Sequence, residues 1–159
     1  MAMVVALRDV EDADLDALFD QMRDPESVRM AAFTAADPDD REAFDAHMRK
    51  LRASSEILLK AVTCDEVFVG TVGSFVVEGD TEVTYWIDRR YWGRGIASRA
   101  LGLLLELEKR LPVYARAASD NLGSLRVLAK AGFVQIGSET SYANARGGEI
   151  EETILRLES

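Results

Sequence analysis

The run Tyr85-Trp86-Ile87-Asp88-Arg89-Arg90-Tyr91-Trp92-Gly93-Arg94-Gly95-Ile96-Ala97 is where residue types and spacing in this chain could do chemistry. Tyr85 to Ile87 are aromatic and β-branched, as a strand prefers, and an apolar helical pattern opens at Ile96. Between them Gly93 and Gly95 permit positive φ and close backbone approach. The first amides of a helix lack internal acceptors and sit at the positive end of its dipole, so strand, glycine turn and helix start together read as a phosphate cradle with a pyrophosphate as natural guest. Arg89, Arg90, Arg94 and Arg99 crowd the same window of a chain whose formal net charge is -9. Guanidinium forks pair bidentately with phosphate oxygens. The structural alternative for these arginines is a solvated, salt-bridged helix end.

The elements around the cradle follow from periodicity. Met3 to Leu7 reads as a first strand, and Leu15, Leu18, Phe19 and Met22 fall on one helical face. Asp37-Pro38-Asp39-Asp40 supplies a cap, a proline for the first helical position and acidic residues for the first turn of a second helix, with Phe44, His47, Met48 and Leu51 as its buried stripe. Ile57 to Thr63, Val67 to Val77 and Glu82 to Ile87 are β-rich runs whose short connections imply an antiparallel meander. From Ile96, residues Ala100, Leu103, Leu104, Leu107 and Leu111 keep helical spacing until Pro112, and Val113 to Ala117 is the next strand. Strand, helix, strand is the crossover that sets two strands parallel. Asp120 is the expected cap of a helix carrying Leu125, Leu128 and Ala129 and ending at Gly132; Phe133 to Ile136 and Ile150 to Leu157 then complete the sheet around the turn-rich 144–148 segment. The fold class expected is α/β, an α+β mixed sheet in the order β-α-α-β-β-β-α-β-α-β-β, forming one domain over residues 1–159.

Composition narrows the partners. The chain's 48% hydrophobic and 30% charged residues are ordinary for a soluble globule, and no apolar run approaches the roughly 20 residues that span a bilayer, so no membrane partner and a cytoplasmic location are expected. With one cysteine, Cys64, and one histidine, His47, neither a disulfide framework nor a metal site of the usual ligand types is expected. Net negative charge argues against nucleic acid and suits an amine substrate. Cys64 reads as a small buried hydrophobe and His47 as a core or half-buried residue.

The element order and two motifs together resemble the GNAT superfamily of acyl-CoA-dependent N-acetyltransferases. Arg90-Tyr91-Trp92-Gly93-Arg94-Gly95 fits the family's acyl-CoA motif, an Arg or Gln, two residues, Gly, any residue, then Gly or Ala. Asn121, Ser124 and Lys130-Ala131-Gly132-Phe133 look like its second signature, an Asn opening a helix that ends in Gly-Phe. The Tyr-Trp-Ile strand, the Trp-Gly-Arg-Gly-Ile-Ala turn and the Asn-x-x-Ser helix are most similar to the branch containing the ribosomal-protein N-terminal acetyltransferases. That branch also acts on small molecules, so the resemblance implies an amine acceptor, small molecule or peptide, without naming it. A homodimer is a tendency of the family.

The resemblance further implies acetyl-CoA as co-substrate, with no metal. The pantetheine arm would pair with the Glu82 to Asp88 strand where it splays from Val113 to Ala117. An amide near Trp86 or Ile87 would bind the thioester oxygen. The amides of Arg94, Gly95, Ile96, Ala97 and Ser98 would hold the pyrophosphate, Arg90 would support turn or phosphates, and Asn121 and Ser124 would face the pantetheine. A lysine-like amine with a pKa of about 10.4, or an α-amine at about 7.7, must lose a proton before attack. Glu82 is the candidate general base, its alternative being a strand-pairing role. The family's tyrosine acid falls on Leu128, which has no proton to give; Ser124 is then a candidate acid, as are Tyr85 and Tyr142.

Two rivals differ in class. Gly93-Arg94-Gly95 mimics the start of a dinucleotide fingerprint, but its third position is Ser98 and it follows antiparallel strands rather than opening a βαβ half. A non-catalytic acyl-CoA-binding regulatory domain is the alternative function, and turnover against amines separates the two.

Overall fold

A computed structural model describes residues 3–158. Seven strands form one sheet: β1 (Val5–Asp9), β2 (Leu58–Cys64), β3 (Val67–Val77), β4 (Asp80–Ile87), β5 (Val113–Ala118), β6 (Val134–Ala143) and β7 (Gly148–Leu157), in the spatial order β1-β2-β3-β4-β5-β7-β6. Helices α1 (Leu15–Gln21), α2 (Pro25–Ala31) and α3 (Arg41–Ala53) precede β2; α4 (Ile96–Leu107) joins β4 to β5, and α5 (Leu122–Lys130) joins β5 to β6. The mixed sheet and element order are those expected, with one helix more. That helix, α2, is written in Asp24-Pro25-Glu26: Asp24 accepts from the Ser27 amide, Pro25 sits at the first helical position, and Glu26 is acidic in the first turn.

Alternation along each strand sorts the core into two layers. On one face Val62, Val72, Val83, Ile87, Val113, Ala115 and Leu155 bury against Ile96, Ala100, Leu101 and Leu104 of α4 and Leu128 of α5. On the other, Ala61, with Leu59, Phe68 and Trp86, packs against Leu18 of α1 and Met48 of α3. Each large apolar side chain so buried stabilises the fold by about 1.5–3 kcal/mol, which fixes α4, and with it the turn before it, against the sheet.

Three local expectations are corrected. Asn121, not Asp120, caps α5, because its side-chain oxygen accepts from Ser124 N at 3.2 Å, while Asp120 pairs with Arg146. His47 is exposed: Phe44, Met48 and Leu51 make the seam of α3, and His47 stands at its edge. β6 runs ten residues, well past Ile136, because an edge strand paired on one side to β7 and open on both faces needs no apolar alternation.

Candidate active site

β1 to β4 form an antiparallel meander, and β4 then pairs in parallel with β5 only at Thr81↔Val113 and Glu82↔Tyr114. Beyond Glu82 the two strands part. Asp88 N donates to Val69 O at 2.8 Å, and inward-facing pairs alternate in an antiparallel ladder. Given the register, Trp86 and Thr84 therefore bond to β3, and the amides of Val83, Tyr85 and Ile87 face the opening. Of the two amides expected to bind the thioester oxygen, Trp86 is thus committed to β3, and Ile87, joined by Tyr85, is directed outward. Trp86 faces α1 and α3, and its buried indole N–H has no partner among the described residues. The Ile87 carbonyl accepts from the Trp92 indole at 2.8 Å.

The strand leads through a short 3-10 turn, Arg89–Tyr91, into α4. Asp88 anchors the turn: it accepts from Arg90 N and from the Arg90 guanidinium, whose hydrogen bond is the main cause holding its carboxyl below the usual range. Arg89 makes a bidentate pair with Asp24 at the start of α2, and the Asp24 carboxyl falls to about 2 as a result. Arg89 and Arg90 therefore brace the turn, while Arg94 lies over the Tyr91 ring, and neither Arg94 nor Arg99 forms an ion pair among the described residues. Gly95 caps α4 at φ 79°, with no side-chain cap. The first intrahelical bond at this end is Arg99 N to Gly95 O, leaving the amides of Ile96, Ala97 and Ser98 without an internal acceptor. A Cβ built on Gly93 or Gly95 would meet nothing within 4 Å. Free amides, the dipole's positive end and open space fit a pyrophosphate.

Across the opening, Ser124 on α5 lies 2.6 Å from the Tyr85 hydroxyl. Burial raises the Tyr85 pKa, outweighing the serine bond that lowers it, so the phenol stays protonated. Asn121 is not left free toward a pantetheine: besides capping α5, its Nδ2 donates to Met30 O of α2 at 3.3 Å. Glu82 lies on the opposite face of β4, toward α1–α3, largely buried and 3.6 Å from Arg116 Nε. Burial is the main cause raising its pKa. Ser124, Tyr85 and the outward amides thus meet at one opening, with Glu82 at its mouth. Arg116 and Asp24 were missed from sequence, although a lone charge in the run Val113 to Ala117 and the Asp-Pro-Glu helix start were signals for them.

The family model described as an acetyltransferase (GNAT) domain matches residues 5–134. The chain belongs to the GNAT superfamily of acyl-CoA-dependent N-acetyltransferases. A search of curated proteins returns no match in sequence. Similar solved structures include RimL, a ribosomal L7/L12 alpha-N-protein acetyltransferase in complex with coenzyme A, at TM-score 0.81 and 17% identity over 97% of this chain and 93% of that one. RimJ of Mycobacterium smegmatis, in complex with a CoA-disulfide, aligns at TM-score 0.81 and 22% identity over 98% of this chain and 82% of its own. Spermidine N-acetyltransferase from Vibrio cholerae, with CoA and spermine, aligns at TM-score 0.79 and 15% identity over 97% and 95%. At such identities the likeness is one of fold. No helix among the described residues is long and apolar enough to cross a membrane.

Proposed function

We propose that this protein moves an acetyl group from acetyl-CoA to a primary amine by direct attack in a ternary complex. The observation that carries the reading is the parting of β4 from β5 after Glu82, which aims strand amides into a cleft that leads to the uncapped start of α4. The amides of Ile96, Ala97 and Ser98, with that of Gly95 and the side chain of Arg94, hold the pyrophosphate; the strand from Tyr85 to Ile87 carries the pantetheine. Asn121 serves by fixing the start of α5, which aims Ser124.

In the transfer, Glu82 takes the ammonium proton, directly or through water, and the nitrogen lone pair attacks the thioester carbon. The carbonyl oxygen gains the negative charge and is stabilised by the amide of Tyr85 or Ile87. As the C–S bond breaks, Ser124 gives its hydroxyl proton to the thiolate and recovers one from the nitrogen through solvent. The Tyr85 phenol and Ser124 Oγ lie 2.6 Å apart with either able to donate, and the proposed transfer uses the arrangement in which the phenol donates and leaves the serine proton for the sulfur. Base and acid thus lie on opposite faces of β4, so the proton lost by the nitrogen and the one gained by the sulfur do not compete for one group.

The acceptors in keeping with a chain of net charge -9 are cationic amines. Purified protein is incubated with acetyl-CoA and panels of polyamines, aminoglycosides, amino acids and peptides with free N-termini, and thiol release is followed. Release that depends on the amine is the expected result; tight CoA binding with no release against any amine would favour a regulatory acyl-CoA-binding domain instead.

A further inference from the structure

Glu82 is one of a row of charges that crosses the face of the sheet opposite α4: Glu82 on β4, Arg116 on β5, Glu152 on β7 and Glu139 on β6. Arg116 stands one two-residue step beyond Tyr114, the last β5 residue paired with β4, so its guanidinium reaches back across the mouth of the opening. Its Nη1 donates to Glu139 at 2.9 Å and to Glu152 at 3.2 Å, while its Nε lies 3.6 Å from Glu82 Oε1. The short contacts go to the two carboxylates farther from the opening. Glu82 receives the charge at a distance too long for a hydrogen bond and keeps its lone pairs for a proton.

We infer that Arg116 is a positioning residue for the transfer: it favours the ionised form of the Glu82 carboxylate at the mouth of the opening, and Glu139 sets how much of the Arg116 charge Glu82 receives. The inference rests on Glu82 being the base. The charged groups facing Glu82 are Asp80 on its own strand, Arg116 on β5, Glu139 on β6 and Glu152 on β7. Burial and the three carboxylates favour the protonated form, and Arg116 alone opposes them. Removing Arg116 therefore moves Glu82 titration to higher pH. Removing Glu139, which competes for the guanidinium and repels Glu82, moves it to lower pH. An arginine that merely ties strands together would do neither.

The test uses the full chain labelled with 13C at glutamate carboxyls, with the Glu82 signal assigned by its loss in Glu82→Gln, and the acid limb of kcat/KM for acetyl-CoA with the best amine of the panel. Arg116→Gln is expected to raise the Glu82 midpoint and to cut kcat/KM about tenfold on the acid side, with recovery as pH rises. Arg116→Lys, which keeps the charge, restores most of that loss, and Glu139→Gln lowers the midpoint. Glu139 is half exposed, so its variant reports even where Arg116→Gln fails to fold. A Glu82 midpoint unmoved by Glu139→Gln, or unmoved by Arg116→Gln in folded protein, overturns the inference; an acid limb that survives in Glu82→Gln overturns the base assignment beneath it.

Discussion

Gly70 offers the sharpest test of how the sheet places the reactive amides. It lies on β3 opposite Ile87, and a Cβ built there would fall 1.9 Å from the Trp86 carbonyl oxygen and 2.9 Å from its carbon. Real Cβ contacts stop at about 3.0 Å, so in Gly70→Ala something must give by about 1.1 Å, and the obstacle is backbone rather than a side chain that can swing away. The free direction for β4 is into the opening, which carries the amides of Tyr85 and Ile87 with it. A misplacement of about 1 Å costs about 100-fold in rate, and forcing atoms into a packed interior costs about 1–3 kcal/mol, a fall of roughly 2–12 °C in Tm for a chain of this size. Gly73→Ala is the control. Its Cβ would meet Leu58 O on β2 at 2.7 Å, a smaller conflict on the strand away from β4. Thiol release at saturating acetyl-CoA and thermal unfolding by circular dichroism are measured on both. Gly70→Ala is expected to lose about 100-fold in kcat and Gly73→Ala no more than about threefold, although both lose stability. A folded Gly70→Ala enzyme with kcat near that of the parent would refute the placement of the amides by β3, and an equal loss in Gly73→Ala would make the effect global.

Other expectations are simpler to check. Gly95→Glu sets a carboxylate against the pyrophosphate and is expected to weaken acetyl-CoA binding by at least about 100-fold, whereas Gly95→Ala, which bears only the strain of φ 79°, loses several-fold; calorimetric titration with acetyl-CoA separates them, and equal affinities would remove the cradle. Ser124→Ala is expected to lose about 100-fold in kcat and Tyr85→Phe about tenfold, both at unchanged acetyl-CoA affinity; thiol release at saturating acetyl-CoA measures both, and a Ser124→Ala kcat near that of the parent would remove the serine from the proton's path. Glu108, buried at the end of α4, is held at about 2 chiefly by Arg110, and also accepts from Ser74. A carboxyl depressed in the folded state stabilises above its ordinary pKa of 4.5 and loses that contribution as pH falls toward about 2; Glu108→Gln should thus cost about 2 kcal/mol near neutrality, and its Tm should converge on the parent's across that acid window.

Much of the fold was legible because the signals were local. The meander is written in β-branched runs with short breaks, the crossover in the helical spacing from Ile96, and the turn before α4 in Gly93 and Gly95. What was missed depends on partners distant in sequence. Nothing near Arg116 in the chain says that Glu139 and Glu152 will stand beside it, since β7 enters the sheet between β5 and β6. Arg89 looked like a phosphate ligand until α2 brought Asp24 to it. Asn121, read with the helix it opens, also donates to Met30 O of α2, far away in the chain. In each case a charged or polar side chain was read from its neighbours in sequence, whereas its partner stands on an element that only the fold brings beside it.

In the proposed transfer one strand positions most of the chemistry, and its geometry explains why the residues fall where they do. Glu82 and Tyr85 are three positions apart, an odd step, so the two-residue alternation must send them to opposite faces. Glu82 then meets Arg116 on the face away from α4, and Tyr85 meets α5 and Ser124. The backbone alternates in the plane of the sheet by the same rule: the amides of Tyr85 and Ile87 turn away from β3, into space that β5 would fill had pairing continued past Tyr114. In the proposed transfer the base, the oxyanion donors and the tyrosine that contacts the Ser124 acid therefore point in separate directions from six consecutive residues, and the parting of β4 from β5 leaves room for a thioester among them. A one-residue slip of β4 against β3 would exchange all of these at once, sending Glu82 into the apolar layer under α4 and turning the wrong amides outward. The close fit of Gly70 under the Trp86 carbonyl falls at the end of β4 where such a slip would do most harm.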